Sequence, residues 1–389
     1  MLETSPGTSA GDLLTLVRTG RAGTRSDLVR LTGLSRGAVT SRLGALVAAG
    51  LLVEGGEVAS TGGRPAGALA LDPDAAVVLA IAVGRSRSQV GVFDLAGREI
   101  SSDTRDHEPG VGAAELMPDV VSRLGGLLED VTPPVVGVGM SLPGSVDPAR
   151  RTSVDAPVLK GWDGVDLAAY VAGLTDAPLH LDNDTAALTR SEMFGRVPAS
   201  PTMLVVKAST GLGLGVVADG RIVGERRGAA GELGHTRVDA AGDLLCRCGA
   251  TGCLETIAGG WAMVTRLQEA GVQARHVRDL VGLALDGEPL ARGLLRESGR
   301  HLGEVLTVAV NLLHPGAVVV GGDMGAAFDL YTAGVRETLY SRAHPAAVRD
   351  LRFLPATHGE AAGLLGCAAL AIDAALAPPA VDALLRTRR

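Results

Sequence analysis

The chain is short of cysteine, shorter of lysine and almost without aromatic rings, and each shortage narrows what it can be. It has four cysteines in 389 residues, and three of them crowd into one short stretch. Lysine occurs only as Lys160 and Lys207, which suggests a GC-rich genome and says little about function. Aromatic residues make up 2% of the chain and none precedes Phe93, so a stacking platform for single-stranded nucleic acid is not expected near the start. Long apolar runs are missing too: the most apolar stretches are broken by Asn311, His314 and Pro315, or by Asp373, and none is long enough to cross a bilayer. The opening MLETSPGTSAGD is polar, with no basic-then-apolar start, so no signal peptide is suggested and a cytoplasmic location is expected. What remains is 46% hydrophobic and 20% charged, the balance of a soluble globular protein. A chain of this length exceeds one small core, so two or three domains are expected.

Charge is uneven along the chain. Residues 1–71 hold seven arginines against five carboxylates, although the whole chain carries a net charge of −7. A mildly basic head on an acidic body fits a DNA-binding module joined to something else. Within the head, Leu13, Leu14 and Val17 fall at helical spacing before Gly20. Thr24 then precedes Ser26-Asp27 in a capping-box-like start, and the second short helix runs to Gly33. Ser35 is a good N-cap for a third helix, whose Val39, Leu43 and Leu46 make one buried stripe. This is the pattern of a helix-turn-helix. The face opposite the stripe carries Arg36, Thr40 and Ser41, donors suited to base edges and phosphates. LLVEGGEVAS reads as a hairpin around Gly55-Gly56, a wing. Arg64, on a Gly-Gly support, could enter a minor groove. The bland alternative is a small helical dimerisation module with ordinary surface arginines.

The crowded cysteines sit in GELGHTRVDAAGDLLCRCGATGCLET, residues 231–256. His235, Cys246, Cys248 and Cys253 supply one imidazole and three thiols, the ligand number and type of a closed tetrahedral zinc site. A disulfide would leave one thiol over, and a C-x-x-C redox motif is absent. Thiols committed to metal fit a reducing compartment. Cys367, in the apolar run GLLGCAALAI, reads as a small core residue.

The body begins near Asp72 and echoes itself. LAIAVGRSRSQVGVFDLAGREI and LVVKASTGLGLGVVADGRIVG are each a strand, a glycine-containing turn and a second strand, which suggests a duplicated α/β lobe. The glycines of GLGLG lead into a strand, so they are not a dinucleotide fingerprint.

Taken in order, GVGMSLPGSVD, LDNDTAAL, GELGH with CRCGATGCLE, and NLLHPGAVVVGGDM resemble the ROK family of bacterial sugar kinases and sugar-responsive repressors, nearly end to end. The resemblance implies an α/β fold: an actin-like, ribonuclease-H-like two-lobed body behind an N-terminal winged helix-turn-helix. The expected division is 1–71 for the head with wing and linker, and 72–389 for the body. Within the body, the first lobe is expected at about 72–185 plus the C-terminal helix, and the second at about 186–365. By the same resemblance Asn183 and Asp184 face a sugar, with Asp184 at the kinases' general-base position. Glu232 and Glu255 accept from sugar hydroxyls, and His235 is both zinc ligand and sugar contact. Rigid carboxylates and amides are sensible partners for a ring of hydroxyl donors. In blander terms Asp184 caps a helix, and Glu232 and Glu255 are solvated surface acids.

The chain departs from the kinase pattern where phosphoryl transfer needs it most. Where family kinases read Asp-x-Gly-Gly-Thr, this chain reads Ala82-Val83-Gly84-Arg85-Ser86: the magnesium-holding carboxylate is gone and an arginine replaces a glycine. Ser209 stands where the kinases have the first glycine of Gly-Thr-Gly, and Val158 where glucose kinases have asparagine. Transfer depends on positioning and charge compensation, so no catalytic residues are assigned. The expectation is a repressor that binds double-stranded operator DNA, senses a sugar or sugar phosphate, carries structural zinc and forms a homodimer or homotetramer, since a palindromic site needs two reading heads. An ATP-dependent sugar kinase with a DNA-binding head is the alternative. A body that binds a partner protein is a third reading, against which Asp184, Glu232 and Glu255 argue.

Overall fold

Side-chain caps set where the first helices begin. Ser9 and Asp12 exchange side chain-to-amide hydrogen bonds at the start of α1 (Ala10–Arg18), and Thr24 and Asp27 do the same for α2 (Arg25–Thr32). Gly33, at φ 69°, ends α2 in the left-handed region, and Ser35 accepts from the Ala38 amide to open α3 (Arg36–Ala48). Each cap satisfies an otherwise orphaned N–H and stabilises its helix by about 1 kcal/mol. Leu13, Leu14, Leu28, Val39, Leu43 and Leu46 fill the space between the three helices. The structure, a computed structural model, describes residues 8–58, 66–154, 160–224 and 231–387; Arg64 and Val158 lie outside them.

The wing differs from its sequence reading. Strand β1 (Leu52–Val58) runs straight through Gly55-Gly56 and pairs antiparallel with β2 (Ala66–Leu71), with a register shift between Gly55 and Glu57. The glycine pair therefore makes a bulge and not the turn, because glycine eases an extra residue into a ladder as readily as it reverses the chain. The reversal falls outside the described residues.

Two five-stranded sheets follow, built on one plan. The first joins β3 (Val77–Val83), β4 (Arg87–Asp94), β5 (Glu99–Asp106) and β6 (Val135–Leu142). The ribbon of β7 (Val146–Asp147) with β8 (Thr152–Ser153) precedes its last strand, β9 (Leu179–Asn183). The second contains β10 (Met203–Ala208), β11 (Leu212–Ala218), β12 (Arg221–Ile222), β13 (Ala317–Gly321) and β14 (Arg352–Pro355). Their orders are β5-β4-β3-β6-β9 and β12-β11-β10-β13-β14. In both, an antiparallel meander supplies one side and two parallel strands the other. The hairpins β3–β4 and β10–β11 are the two echoed segments.

Helices α4 (Ala113–Leu128) and α5 (Leu167–Val171) pack on one face of the first sheet. Its other face meets α13 (Ala362–Ala375), which returns from the far end of the chain and also lies against α6 (Asp184–Met193). Contact there is backbone-close: a Cβ on Gly139 would stand 1.8 Å from the Cys367 carbonyl, and one on Gly366 would stand 1.9 Å from that of Ala187. Cys367 is fully buried, a core residue as its sequence setting implied. The second sheet is backed by α7 (Glu255–Ala258), α8 (Gly260–Glu269), α9 (Val277–Leu285), α10 (Pro289–Leu313), α11 (Phe328–Arg342) and α12 (Pro345–Val348). The last helix, α14 (Pro378–Thr387), packs on α1 of the head, where Asp382 accepts from the Gly11 amide at 2.9 Å. Head, α13, α14 and one face of the first sheet thus share a continuous apolar cluster.

Candidate functional site

The β3–β4 turn, the end of β9, the β10–β11 turn and the end of β13 line a cleft of about 560 Å³. Asn183, Asp184, Glu232, His235 and Glu255 all lie on its wall.

Asn183, and not Asp184, caps α6: its Oδ1 accepts from the Ala186 amide at 2.9 Å, while its Nδ2 donates to the Gly144 carbonyl at 3.3 Å. Asp184 is left to face Lys207 across the cleft, with Nζ and Oδ2 2.9 Å apart. Burial pulls the pKa of Lys207 down, yet the carboxylates of Asp184, Asp323 and Glu255 hold it above the ordinary lysine value. The sequence offered no local signal for the pair, because Lys207 comes from another sheet.

Glu255 is no surface acid. It is 6% exposed, and its two oxygens accept from the Leu212 amide at 3.2 Å and from Trp261 Nε1 at 3.0 Å. Glu232 is half-buried, 3.8 Å from His235 Nε2. Desolvation raises its pKa most; Asp184 and Glu255 raise it further, against His235 and Lys207. Acceptors fixed in this way, beside one ammonium, can pair with several hydroxyl donors of one polyol.

The other nitrogen of His235 turns toward sulfur. Nδ1 lies 3.6 Å from Cys246 Sγ, Cys248 Sγ lies 3.7 Å from Cys253 Sγ, and the four ligand atoms fall within 4.8 Å of one another. At a zinc–sulfur distance of about 2.3 Å, the edge of a tetrahedron is roughly 3.8 Å. Sulfurs bonded to each other would be about 2.05 Å apart. The cluster therefore has the donors and spacing to hold one metal ion. Gly249 and Gly252, at φ 90° and 76°, take the left-handed conformations that wrap the loop around it. Burial and the neighbouring thiols push the Cys253 thiol up to about 12, so a cation is needed to hold thiolates there.

The rest of the cleft was not foreseen in full. Ala82 and Arg85 line it from the first sheet, and Arg247, Trp261 and Asp323 from the second half. Ser209 donates to Asp323 in a short hydrogen bond. Arg36, Thr40 and Ser41 are exposed on α3, outside the cleft.

Known proteins share this arrangement over most of its length. A xylose repressor of Caldicellulosiruptor bescii is 25% identical over 372 residues, 91% of this chain and 93% of its own. The DNA-binding transcriptional dual regulator NagC of Escherichia coli is 26% identical over 341 residues, 82% of this chain and 81% of its own. Among solved structures, a ROK family transcriptional regulator described as a homolog of the E. coli MLC protein superposes with a TM-score of 0.79 at 23% identity, covering 98% of both chains. A ROK family glucokinase from Streptomyces griseus, in complex with glucose and AMPPNP, superposes with a TM-score of 0.64 at 27% identity, covering 76% of this chain and 99% of that one. The family's own sequence profile takes in residues 78–374, both sheets and the cleft between them, and the chain belongs to the ROK family.

Proposed function

We propose that this protein is a sugar-responsive transcriptional repressor whose head binds operator DNA and whose cleft binds the effector. The observation that carries this reading is how much of the chain each similarity takes in. The glucokinase is covered almost completely by 76% of this chain, whereas the ROK family transcriptional regulator superposes over 98% of it, too much to leave out the helix-turn-helix. In the head, Arg36, Thr40 and Ser41 of α3 are the proposed contacts to the major groove, with Arg64 reaching a minor groove from the wing. We take 1–71 as the head and 72–389 as the body.

In the body, Asn183, Asp184, Glu232, His235 and Glu255 receive the sugar hydroxyls. Zinc is the metal that suits one imidazole and three thiolates; His235, Cys246, Cys248 and Cys253 would hold it. It would lock the loop that brings His235 and Glu255 to the cleft. Phosphoryl transfer is not part of the function, because Ala82 has no carboxylate to hold magnesium and Arg85 fills space a nucleotide's phosphates would need. Among the described residues no single helix is long and apolar enough to cross a membrane, and the proposed setting is the cytoplasm. A homodimer or homotetramer would present two heads to a palindrome.

The test is a binding titration of the full chain on duplex DNA from its own promoter region. Affinity should fall steeply as salt rises, because bound phosphates release counterions. A saturating monosaccharide should shift it. Operator affinity that survives deletion of residues 1–71 would refute the proposal.

A further inference from the structure

Lysine is almost absent from this chain, yet one of its two lysines stands in the cleft. Of the 36 lysines and arginines only Lys160 and Lys207 are lysine, and Lys207 lines the cavity beside Asn183 and Asp184. It lies near the end of β10, between Gly213 of β11 and Gly321 of β13 in the sheet register. Neither neighbour has room for a side chain on that face. A Cβ on Gly213 would stand 2.1 Å from Thr185 Oγ1, and one on Gly321 would stand 2.9 Å from Ala356 Cβ and 3.0 Å from Leu188 Cδ1. The glycines let the first turns of α6 rest directly on the sheet, and Lys207 is the one side chain of that row, leading to Asp184 at the helix start.

The pair that results opens onto the cleft instead of closing on itself in the core. Lys207 Nζ and Asp184 Oδ2 are 2.9 Å apart, and the two side chains are 23% and 18% exposed. An ammonium has three donors, and among the described residues Asp184 is the only hydrogen-bond or ion-pair partner of this one. Among the same residues, Asp184 Oδ1 accepts only from Thr185 Oγ1, at a long 3.5 Å. Donors and an acceptor are thus left side by side on the wall of the cavity. A sugar hydroxyl both accepts and donates, and so matches the two together. A compact ammonium with rotatable donors suits such a group, whereas planar oxyanions suit the guanidinium fork that the chain uses nearly everywhere else.

We propose that Lys207 is an effector-binding residue that works with Asp184 as a unit: one hydroxyl of the sugar accepts from the Lys207 ammonium and donates to the Asp184 carboxylate. The assignment rests on the cleft being the site of a sugar effector, and it adds the side chain that selects one hydroxyl of that sugar. Hydrogen bonds to charged groups are stronger than neutral ones. A sugar that lacks the hydroxyl leaves both charges without a ligand partner, so rejection of one deoxy analogue is the signature of the unit.

Calorimetric titration of the full chain tests this, first with glucose, galactose, mannose, xylose, N-acetylglucosamine and glucose 6-phosphate. The monodeoxy analogues of the neutral sugar that binds most tightly follow. The quantity read is the affinity ratio of the parent to each deoxy analogue. One ratio should exceed about tenfold, the lower end expected of hydrogen bonds to charged groups. In Lys207→Met that ratio should shrink by at least about threefold while the ratios at the other positions hold, the coupling expected of groups in contact. Lys207→Gln gives the same reading should Lys207→Met not fold. A lysine that only ties α6 to the sheet would weaken every sugar alike and leave all the ratios as they were. Ratios unchanged at every position would therefore overturn the assignment and leave the sugar site standing. Binding of glucose 6-phosphate with no neutral sugar bound would overturn it too, since the ammonium would then face an oxyanion. If nothing in the first panel binds, the sugar site falls and the role of Lys207 with it.

Discussion

Arg18 of the N-terminal head donates to Asp373 of α13 at 2.9 Å. The other oxygen of Asp373 accepts from Arg190 of α6 at 3.4 Å, and Arg190 Nη2 lies 3.6 Å from Asp182, the residue before Asn183. A line of alternating charges therefore runs from the head to the strand end that lines the cleft.

The members of this line are unequal. The Arg190 side chain is 7% exposed, whereas those of Arg18 and Asp373 are 25% and 38% exposed. Asp373→Ala removes one of the carboxylates facing a buried guanidinium and should destabilise the protein by about 1–2 kcal/mol. Arg18→Ala should cost under about 1 kcal/mol, as partly exposed pairs do. Urea unfolding midpoints of the two variants check the order; equal losses would mean that burial of Arg190 is irrelevant.

Metal analysis of the purified protein should find about one zinc per chain. Cys253→Ser should lose it and weaken sugar binding, since the cluster shares His235 with the cleft. A metal-free native protein with unchanged sugar affinity would remove the cluster from the mechanism.

The protein should not release ADP from ATP in the presence of sugars at a useful rate. Asp184 is placed to accept a hydroxyl proton, but a base alone does not grip a γ-phosphate or offset its charge. Asp184→Asn should blunt the response to sugar and leave DNA affinity without sugar as it was. Strong sugar-dependent ADP release, abolished by the same substitution, would make the protein a kinase.

Asp106, at the end of β5, pairs with Arg87 of its own sheet and with Arg278 of α9, each at 2.9 Å. Desolvation opposes its ionisation, but the bond from Arg87 and the charges of Arg278, Arg87 and His276 outweigh it and hold its pKa below the ordinary aspartate value. A carboxyl whose folded pKa is depressed adds stability above its unfolded value, about 3.9, and loses that contribution as pH falls through the folded one. Asp106→Asn should therefore be less stable than the natural chain at pH 6, with the gap closing below about pH 4. Thermal melts across that range decide it; a gap that stays constant would count against the pair.

Much of the site was legible because its residues are close in sequence. His235 and the three cysteines fall within one loop, so their spacing pointed to the cluster that the fold brings together. Caps are equally local, and Thr24, Asp27 and Ser35 act as read. The wing turn was misplaced because a Gly-Gly pair suits a bulge as well as a reversal, and only the partner strand decides between them. Lys207 with Asp184, and Arg278 with Asp106, were invisible as pairs. Each joins segments brought together by packing alone, and a lysine or arginine in isolation reads as surface charge.

The return of α13 to the first sheet fixes an order of events during synthesis. Val78, Ala80 and Ala82 of β3 bury one face against Cys367, Ala368 and Ala371, and the ribosome reaches those residues only after the strands of both sheets have been made. The earlier half of the body must wait with an apolar face uncovered while the strands and backing helices of the later half, Met203–Pro355, are made. Non-local closure of this kind is slow and exposes sticky surface. A premature stop ahead of Ala362 would therefore spoil the first sheet, not merely trim the end of the protein.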